Sequence, residues 1–497
     1  MERLTLESLQ EQVYDVVIIG AGAVGCASAR ELAARGYRTL LVDRGDIGAG
    51  TSSRSSRMLY SGVGYLAPDF PLWQIPFRFI AIWKRFLYAR NIMHCRAELV
   101  NDMPHRLTKH SFHYPFRKGD RYPHWLIDFG FRLMEALTSR GIPLAYRKVS
   151  ADKAAQRSAM VASLSKPSPD VAIFEEYMYD WPERICVDTA LDAEQRGAQI
   201  RTYTKVTKIE RYDGIWNITL NEQAPHREGQ VQIKTRAIVN AAGPWVDRIA
   251  GGGKEGEKRV LGRKGVNVMV QLPEKWRGQG LEAFSSKGEP FYVFPWREFH
   301  FIGPTESLVS DDPDHVHVLD SEIDYILGEA NFLFPNLGLT RKDVKHCWCG
   351  VRPMSTLDGK EVSLPVRAIT NPDMPGLVTM TGSYIMMHRH AGRLAAQSIE
   401  KWLGKRDAPA QGMVFKPSRT NSEKDIKQII LNEHVVRLTD LIRRRLDEGL
   451  NTDLGFSRAE ELSMVAAKVL GWSEVRRLEE LAYFKEDTQR VYRKINT

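Results

Sequence analysis

Cysteine is scarce in this sequence: five among 497 residues (Cys26, Cys95, Cys186, Cys347 and Cys349), an odd number that excludes a fully paired disulfide framework. No secretory leader precedes Tyr14, so a reducing, cytoplasmic setting is the expectation. Cys347 and Cys349 lack a second ligand pair, and a structural zinc takes four ligands. On a strand, alternate side chains share one face, so the two are expected as core thiols and no metal site is expected. Long apolar runs are also missing, since no stretch reaches the roughly 20 apolar residues that span a bilayer. Neither internal repeats nor low-complexity tracts are present, which excludes solenoids and biased disordered segments. At 43% hydrophobic and 26% charged, the chain has a globular composition and the length for two or three domains with their own cores.

Acids are sparse in one region. Between Arg78 and Arg121 ten Lys/Arg stand against three Asp/Glu, so this region supplies most of the formal net charge of +9. It opens with LWQIPFRFIAIWKRFLYAR, Leu72 to Arg90, where aromatics and aliphatics alternate with cations. Two readings stay open: a helix lying in a membrane interface on Trp73, Phe77, Phe79, Ile80, Trp83, Phe86 and Leu87, or a core-facing amphipathic helix with a solvated basic edge. No nucleic-acid-binding motif accompanies the charge, so no nucleic-acid partner is expected.

The most informative stretch is YDVVIIGAGAVGCASARELAARGYRTLLVDR, Tyr14 to Arg44. A Val/Ile run (Asp15 to Ile19) predicts a buried parallel strand, Ala23 to Arg35 a helix, and Thr39 to Val42 a second strand ending in Asp43. Between the first strand and the helix stand Gly20, Gly22 and Gly25 in the spacing GxGxxG. The first allows a tight turn, the second lets backbone approach a pyrophosphate, and the third lets helix and strand pack closely. The helix N-terminus offers free N–H groups and the positive end of its dipole to an anion. Asp43 falls where a carboxylate accepts both hydroxyls of an adenosine ribose, which implies FAD or NAD rather than NADP.

After Asp43 comes a Gly/Ser-rich segment, and within it TSSRSSRMLYSGVGYL, Thr51 to Leu66, resembles the second flavin signature of the FAD-dependent glycerol-3-phosphate dehydrogenases, members of the D-amino-acid-oxidase-like flavoproteins. The resemblance continues through Asp188 to Glu210, NAAGPWVDRIA (Asn240 to Ala250), RKGVNVMV from Arg263, Phe291 to Glu306, CGVRPM (Cys349 to Met354) and Thr381 to Ile399, and reaches about Tyr492 in a helical C-terminal region. It implies a Rossmann-like α/β FAD-binding domain (14–70, 186–260 and 345–405) interleaved with an antiparallel-sheet substrate domain (71–185 and 261–344). A helical C-terminal domain (415–497) follows. The FAD-contacting positions it implies are Gly20, Gly22, Ala23, Val24, Gly25, Asp43, Arg44, Thr51, Ser52, Ser53, Ser55, Ser56, Arg57, Val206, Ala242, Gly243, Trp245, Gly350, Arg352, Gly382, Ser383 and Tyr384.

The reaction implied is hydride removal from a secondary alcohol to flavin N5 while a base takes the hydroxyl proton. The simplest substrate is glycerol 3-phosphate or a related polyol phosphate, and the alternative an amine or hydroxy acid or a non-catalytic membrane-associated flavoprotein. Arg352 is the expected anchor for an anionic end, since a guanidinium binds phosphate or carboxylate bidentately. Tyr65 and His388 are the further catalytic candidates, His388 as base. A quinone acceptor and a homodimer are implied by the resemblance, and peripheral attachment to the inner face of the cytoplasmic membrane follows from the interfacial reading of Leu72 to Arg90.

The chain also departs from the family. Where the family reads His-Gly-Gly-Leu-Arg-Tyr-Leu-Glu, this sequence has Tyr60-Ser61-Gly62-Val63-Gly64-Tyr65-Leu66-Ala67. Lys-Gly-x-His has become Lys264-Gly265-Val266-Asn267, and Gly-Gly-Lys has become Thr381-Gly382-Ser383. Either Arg389, His388, Arg57 and Lys264 supply compensating groups, or the substrate is larger or less anionic than glycerol 3-phosphate.

Overall fold

The Val/Ile run near the start becomes the middle of a parallel sheet. In the computed structural model, which describes residues 3–10, 12–68, 70–117, 122–138, 141–165, 170–249, 258–309, 312–357, 359–362, 366–416 and 422–494, the chain forms two compact units. The first comprises residues 1–54, 181–262 and 351–490. Its sheet runs, in spatial order, Arg367–Thr370, Leu377–Thr381, Gln230–Asn240, Val13–Ile19, Thr39–Val42 and Gln199–Arg201. Val13–Ile19 pairs in parallel with both neighbours, Ile19 opposite Val42 on one side and Asn240 on the other.

Burial on both faces explains the unbroken apolar runs of these strands. On one face lie the helices Ala23–Ala34, Pro182–Gln195 and His388–Leu403, with Val16, Ile18, Leu41, Ala190 and Ala395 in a shared core. On the other the hairpin Thr204–Tyr212 and Ile215–Glu222 packs Trp216, Ile218 and Leu220 against Val17, Leu40 and Ile238. Gly392 allows the helices Ala23–Ala34 and His388–Leu403 to meet closely: a Cβ there would lie 2.7 Å from the Ala27 carbonyl carbon.

The C-terminal helices Glu423–Asn432, Ala459–Leu470 and Glu474–Val491 have a core of their own built on Ile426, Ile430, Leu441, Leu462 and Phe484. They nevertheless cluster with the first unit as far as Arg490, rather than forming the separate domain 415–497 expected from the sequence. Buried ion pairs are the physical reason. Within a π-helical turn, Leu441–Arg445, Arg445 grips Asp46 through two hydrogen bonds of 2.7 and 2.8 Å while Arg444 bonds the same carboxylate. Arg184 joins Glu433 in the same way. The start of the expected C-terminal domain lies partly outside the described residues, at 417–421.

The second unit comprises residues 55–180, 263–350 and 491–497. Its strands follow the order Val344–Leu357, Val260–Val270, Phe299–Gly303, Pro290–Trp296, Gln279–Phe284, Leu107–Pro115, Asp170–Tyr179 and Met58–Leu59, and the first two include points where the chain changes unit. Most pairs are antiparallel, but Gln279–Phe284 runs parallel to Leu107–Pro115. One face packs Val266, Val268, Leu281, Val293, Ile302, Cys347 and Cys349 against the helix Asp320–Leu333, so both thiols of the Cys-x-Cys pair are core. The opposite face carries Phe112, Phe174, Tyr292, Phe294, Phe301 and Trp348, linked by ring contacts, and Trp296, which shares the Arg57 guanidinium with Trp348.

Candidate active site

The glycine turn is built for close approach. Gly20 has φ +104°, and a Cβ on it would meet the Ala241 carbonyl oxygen at 2.7 Å. A Cβ on Gly25 would lie 1.7 Å from the Gly20 carbonyl oxygen, so only glycine fits there. Gly22 caps the helix without a side chain, and the Ser52 hydroxyl accepts from the Ala23 N–H at 3.0 Å. Thr51 in turn donates to the Val351 carbonyl at 2.9 Å, which ties the Thr51–Arg54 turn to the later segment of the unit.

Asp43 sits at the end of the second strand, its two carboxylate oxygens accepting from the N–H groups of Ala21 (2.6 Å) and Gly45 (2.8 Å). Burial pushes this carboxyl above its ordinary range, although the Gly45 and Ala21 bonds work against the rise. Each oxygen keeps a lone pair for a further donor. The Arg44 guanidinium lies 4.6 Å over the Trp245 ring, whose edge is the nearest neighbour of Gly50. Ala242 and Gly243 follow the strand Gln230–Asn240 in a tight turn with Gly243 at φ +59°. Val206 is half-buried against the hairpin core. Gly382, at φ +68°, donates its N–H to the Pro353 carbonyl, and the Ser383 hydroxyl donates to Tyr384 O.

The residues from Gly20 to Ser53, with Val206, Ala242, Gly243, Trp245, Arg352, Gly382, Ser383 and Tyr384, therefore belong to the first unit, and Ser55, Ser56, Arg57 and Gly350 to the second. Ala250, the last residue of the Asn240 motif, lies outside the described residues. The cradle suits an adenine dinucleotide: missing side chains at Gly22 and Gly25, a helix start beyond them, and an acceptor carboxylate one strand away.

In the second unit, Arg57 is buried at φ +54° between Trp296 and Trp348, 4.5 and 5.3 Å from the ring centres. Its Nη2 donates to the Tyr492 hydroxyl at 3.4 Å, while Nε and Nη1 have no protein acceptor. Nearby His346 is held neutral, its pKa pushed down to about 3 by burial and then by Arg57. Further along the same sheet, Tyr60 and Tyr292 both donate to Glu282 Oε1 at 3.3 Å, and the Gly64 N–H donates to the Tyr60 oxygen at 2.8 Å. Tyr65 makes edge contacts with Tyr60 and Tyr88. Behind this group Glu176 accepts from the Ser61 N–H at 2.9 Å, with Arg96 3.7 Å away. Burial raises Glu282 to about 8 and Glu176 to about 7.

Of the other candidates, Arg352 is half-buried on the strand Val344–Leu357. His388 starts the helix His388–Leu403, 1% exposed, its Nδ1–H donating to the Ile385 carbonyl at 2.6 Å. Burial and then Arg389 lower its pKa to about 3, which makes a weak base of it. Lys264 forms an ion pair with Glu322 at 2.7 Å and donates to the His317 carbonyl, so its charge is already engaged. Arg389 is buried beside Arg30 in the first unit. Glu176 and Glu282 were not singled out by sequence reasoning, because a glutamate alternating with apolar residues on a strand reads as a solvated edge. Only the pairing register brings both to the tyrosines.

The profile of the family described as FAD dependent oxidoreductase matches residues 15–398. A glycerol-3-phosphate dehydrogenase from Synechocystis sp. is 27% identical over 420 residues, covering 81% of this chain and 72% of the relative. The aerobic glycerol-3-phosphate dehydrogenase of Staphylococcus aureus is 26% identical over 422 residues, 83% of this chain and 71% of the relative. Among solved structures, the glycerol-3-phosphate dehydrogenase from Bacillus halodurans complexed with FAD superposes with a TM-score of 0.73 at 19% identity, covering 98% of this chain and 96% of that one. Glycine oxidase from Geobacillus kaustophilus gives 0.56 at 21% identity over 80% and 97%. The profile spans most of the sequence and the cradle at Gly20–Asp43 fits the nucleotide, so this chain belongs to the FAD dependent oxidoreductase family, with FAD as its cofactor.

Proposed function

We propose that this protein is an FAD-dependent dehydrogenase oxidising a secondary alcohol, with glycerol 3-phosphate or a related polyol phosphate as the substrate suggested by the names of its relatives. The observation that carries the reading is the nucleotide cradle, in which Gly25 tolerates no side chain and Asp43 is held between two backbone N–H groups. When bound, FAD supplies the acceptor for a hydride. The chain's own residues do the rest. Gly20, Gly22 and Gly25 admit the pyrophosphate to the helix N-terminus, Asp43 accepts the ribose hydroxyls, and Ser52 fixes the first turn of the helix. Arg352 is proposed as the anchor of an anionic substrate group. Tyr65 is proposed to position substrate through the tyrosine cluster. The low pKa of His388 argues against it as base.

A second reading, oxidation of an amine or hydroxy acid, is favoured by the acidic and tyrosine-rich group around Glu282, since a dianion gains nothing from carboxylates. Anaerobic mixing of the FAD-loaded protein with glycerol 3-phosphate, other polyol phosphates, hydroxy acids and amines tests both. Bleaching of the oxidised-flavin absorbance band at about 450 nm identifies the substrate class, and no bleaching by any alcohol removes the dehydrogenase reading. A respiratory quinone as acceptor and a homodimer are proposed from the resemblance. Attachment to an anionic membrane surface is proposed from the exposed aromatic residues Trp73, Phe77, Phe79 and Trp83.

A further inference from the structure

The aromatic face of the second unit's sheet holds buried oxygen acceptors without donors. Glu282 is 8% exposed, its Oε1 receives both tyrosine hydroxyls, and its Oε2 has no partner. Glu282 stands opposite Tyr292 in one strand pair and Tyr292 opposite Gly303 in the next. On the following strand Asn267, 1% exposed, leaves its Oδ1 without a partner. A Cβ on Gly303 would come within 3.6 Å of that oxygen, so the row Glu282–Tyr292–Gly303–Asn267 has a carboxylate at one end, an amide oxygen at the other and no side chain at Gly303.

The hydrogen bonds already made fix the sign of the missing partner. Each tyrosine hydroxyl has a single proton, and both are given to Glu282 Oε1. The Tyr60 oxygen also accepts from Gly64 N–H, so the tyrosine pair presents only lone pairs to anything beside it. Protonating Glu282 does not complete the set, because a hydrogen on Oε2 would find no acceptor. The rings of Tyr60 and Tyr292 meet edge to face at 6.4 Å, and Tyr292 stacks on Phe294 at 5.1 Å, which adds the negative ring faces that attract cations. Glu176 adds a second carboxylate, with Arg96 3.7 Å from it. Arg57, the other cation of this face, lies over Trp296, four residues from Tyr292 along the strand and so about 13 Å away.

We propose that this face binds the ammonium group of an organic cation, with Glu282 releasing its proton to solvent as the cation enters and then serving as counter-charge, and with the Tyr60 and Tyr292 rings and hydroxyl oxygens as its walls. The substrate is then an amino alcohol rather than a simple polyol phosphate. The inference rests on the dehydrogenase reading only in taking this face as the substrate's side.

The probes are tetramethylammonium, a cation with no oxidisable C–H adjacent to a hydroxyl, and inorganic phosphate, each titrated into the FAD-loaded protein by calorimetry. Saturable tetramethylammonium binding without phosphate binding, weakened at least tenfold in Glu282→Gln, supports the proposal. Tyr292→Phe keeps the ring and removes one oxygen, and is expected to weaken binding several-fold if Glu282→Gln does not fold. Phosphate binding with tetramethylammonium silent, or equal binding by wild type and both variants, overturns it. Anaerobic bleaching by 1-amino-2-propanol and by glycerol 3-phosphate separates this idea from the broader one. If neither reduces the flavin while tetramethylammonium still binds, the dehydrogenase reading falls and the cation site stands. If glycerol 3-phosphate alone bleaches and the cation does not bind, the cation site falls and the dehydrogenase stands.

Discussion

Gly25 is the residue on which the cofactor reading can be tested most directly. A methyl group there would sit 1.7 Å from the Gly20 carbonyl oxygen, far inside any contact distance, so Gly25→Ala has to displace the turn that meets the pyrophosphate. At Gly22 the nearest atom to an added methyl is the Ser52 hydroxyl at 3.2 Å, which a rotation of that side chain relieves. Gly25→Ala is expected to emerge from gel filtration with less than about a tenth of the wild-type flavin absorbance per protein; Gly22→Ala is also expected to lose flavin, because its methyl takes the space given to the pyrophosphate, but without displacing the turn itself. Retention of flavin by Gly25→Ala would contradict the cradle. The spacing of these glycines was legible in the sequence because each has a task that depends on local chain order. Glu282 and Glu176 were not legible, since the Tyr60 hydroxyl that meets the first and the Ser61 N–H that meets the second come from a segment more than a hundred residues away. Their pH effect follows from burial. Both are raised above the unfolded carboxylate range, so the folded state keeps protons the unfolded chain has released. The stability these groups contribute is therefore greatest below about pH 4.5 and falls as pH rises toward about 8, each group costing at most about 1.4 kcal/mol for every pH unit climbed. Thermal melts between pH 6 and 9 should show a steeper decline for wild type than for Glu282→Gln, and parallel declines would refute the burial of an ionisable proton at this site.

Among the elements, the turn Leu441–Arg445 is the one whose role the sequence concealed. HVVRLTDLIRRRL, His434 to Leu446, carries apolar residues at helical spacing, which predicts a helix. The structure has a short helix, Leu438–Asp440, passing into the π-turn, with Arg443, Arg444 and Arg445 all buried. The charges point inward because Asp46 and Asp487, partners of Arg445 and Arg443, lie elsewhere in the fold and no local pattern announces them; Asp440, four residues before Arg444, is the local partner. Strand, helix and glycine turn near the start, by contrast, fall within a residue or two of their expected bounds, because apolar runs and glycine spacing are local signals. Asp46 makes the buried cluster testable. Burial alone would raise its carboxyl, but Arg445 and Arg444 outweigh that and hold it below the ordinary range. Replacing it leaves the buried Arg445 guanidinium without a counter-charge and Arg444 with Asp440 alone, a loss of about 3–5 kcal/mol. Asp46→Asn is thus expected to melt well below wild type at pH 7. A depressed pKa contributes stability that is present above the unfolded value and disappears on acidification, so the gap between the two proteins should narrow as pH falls below about 4. A constant gap from pH 7 to 3, or none at pH 7, would show that the pair does not hold the C-terminal helices.

For the whole molecule the open question is what surface it meets. No helix among the described residues is long and apolar enough to cross a membrane. The segment Leu72–Arg90 divides in two: from Tyr88 onward the helix Phe79–Asp102 buries Tyr88, Ile92, Met93, Leu99 and Val100, whereas Trp73, Phe77, Phe79, Ile80 and Trp83 are 57–82% exposed. A second helix of the same unit, His124–Ala136, adds Trp125 and Phe129 at 67% and 57%. Exposed Arg78, Lys84 and Arg90 accompany the aromatic residues, while Arg85 turns inward to the Tyr65 and Ala67 carbonyls. Lys118 and Arg121, part of the same basic region, lie outside the described residues. Aromatic side chains beside cations suit the headgroup layer of an anionic bilayer, each cation near the surface adding about 1 kcal/mol at low salt. The protein should therefore co-sediment with vesicles containing phosphatidylserine or phosphatidylglycerol, less so as salt rises, and hardly at all with purely zwitterionic ones. The triple change Trp73→Glu, Phe77→Glu and Trp83→Glu should abolish sedimentation while leaving the flavin spectrum intact, because these side chains touch neither the cradle nor a core. Vesicle binding unaffected by the triple change would mean that another surface makes the contact, and binding indifferent to lipid charge would remove the role given to Arg78, Lys84 and Arg90.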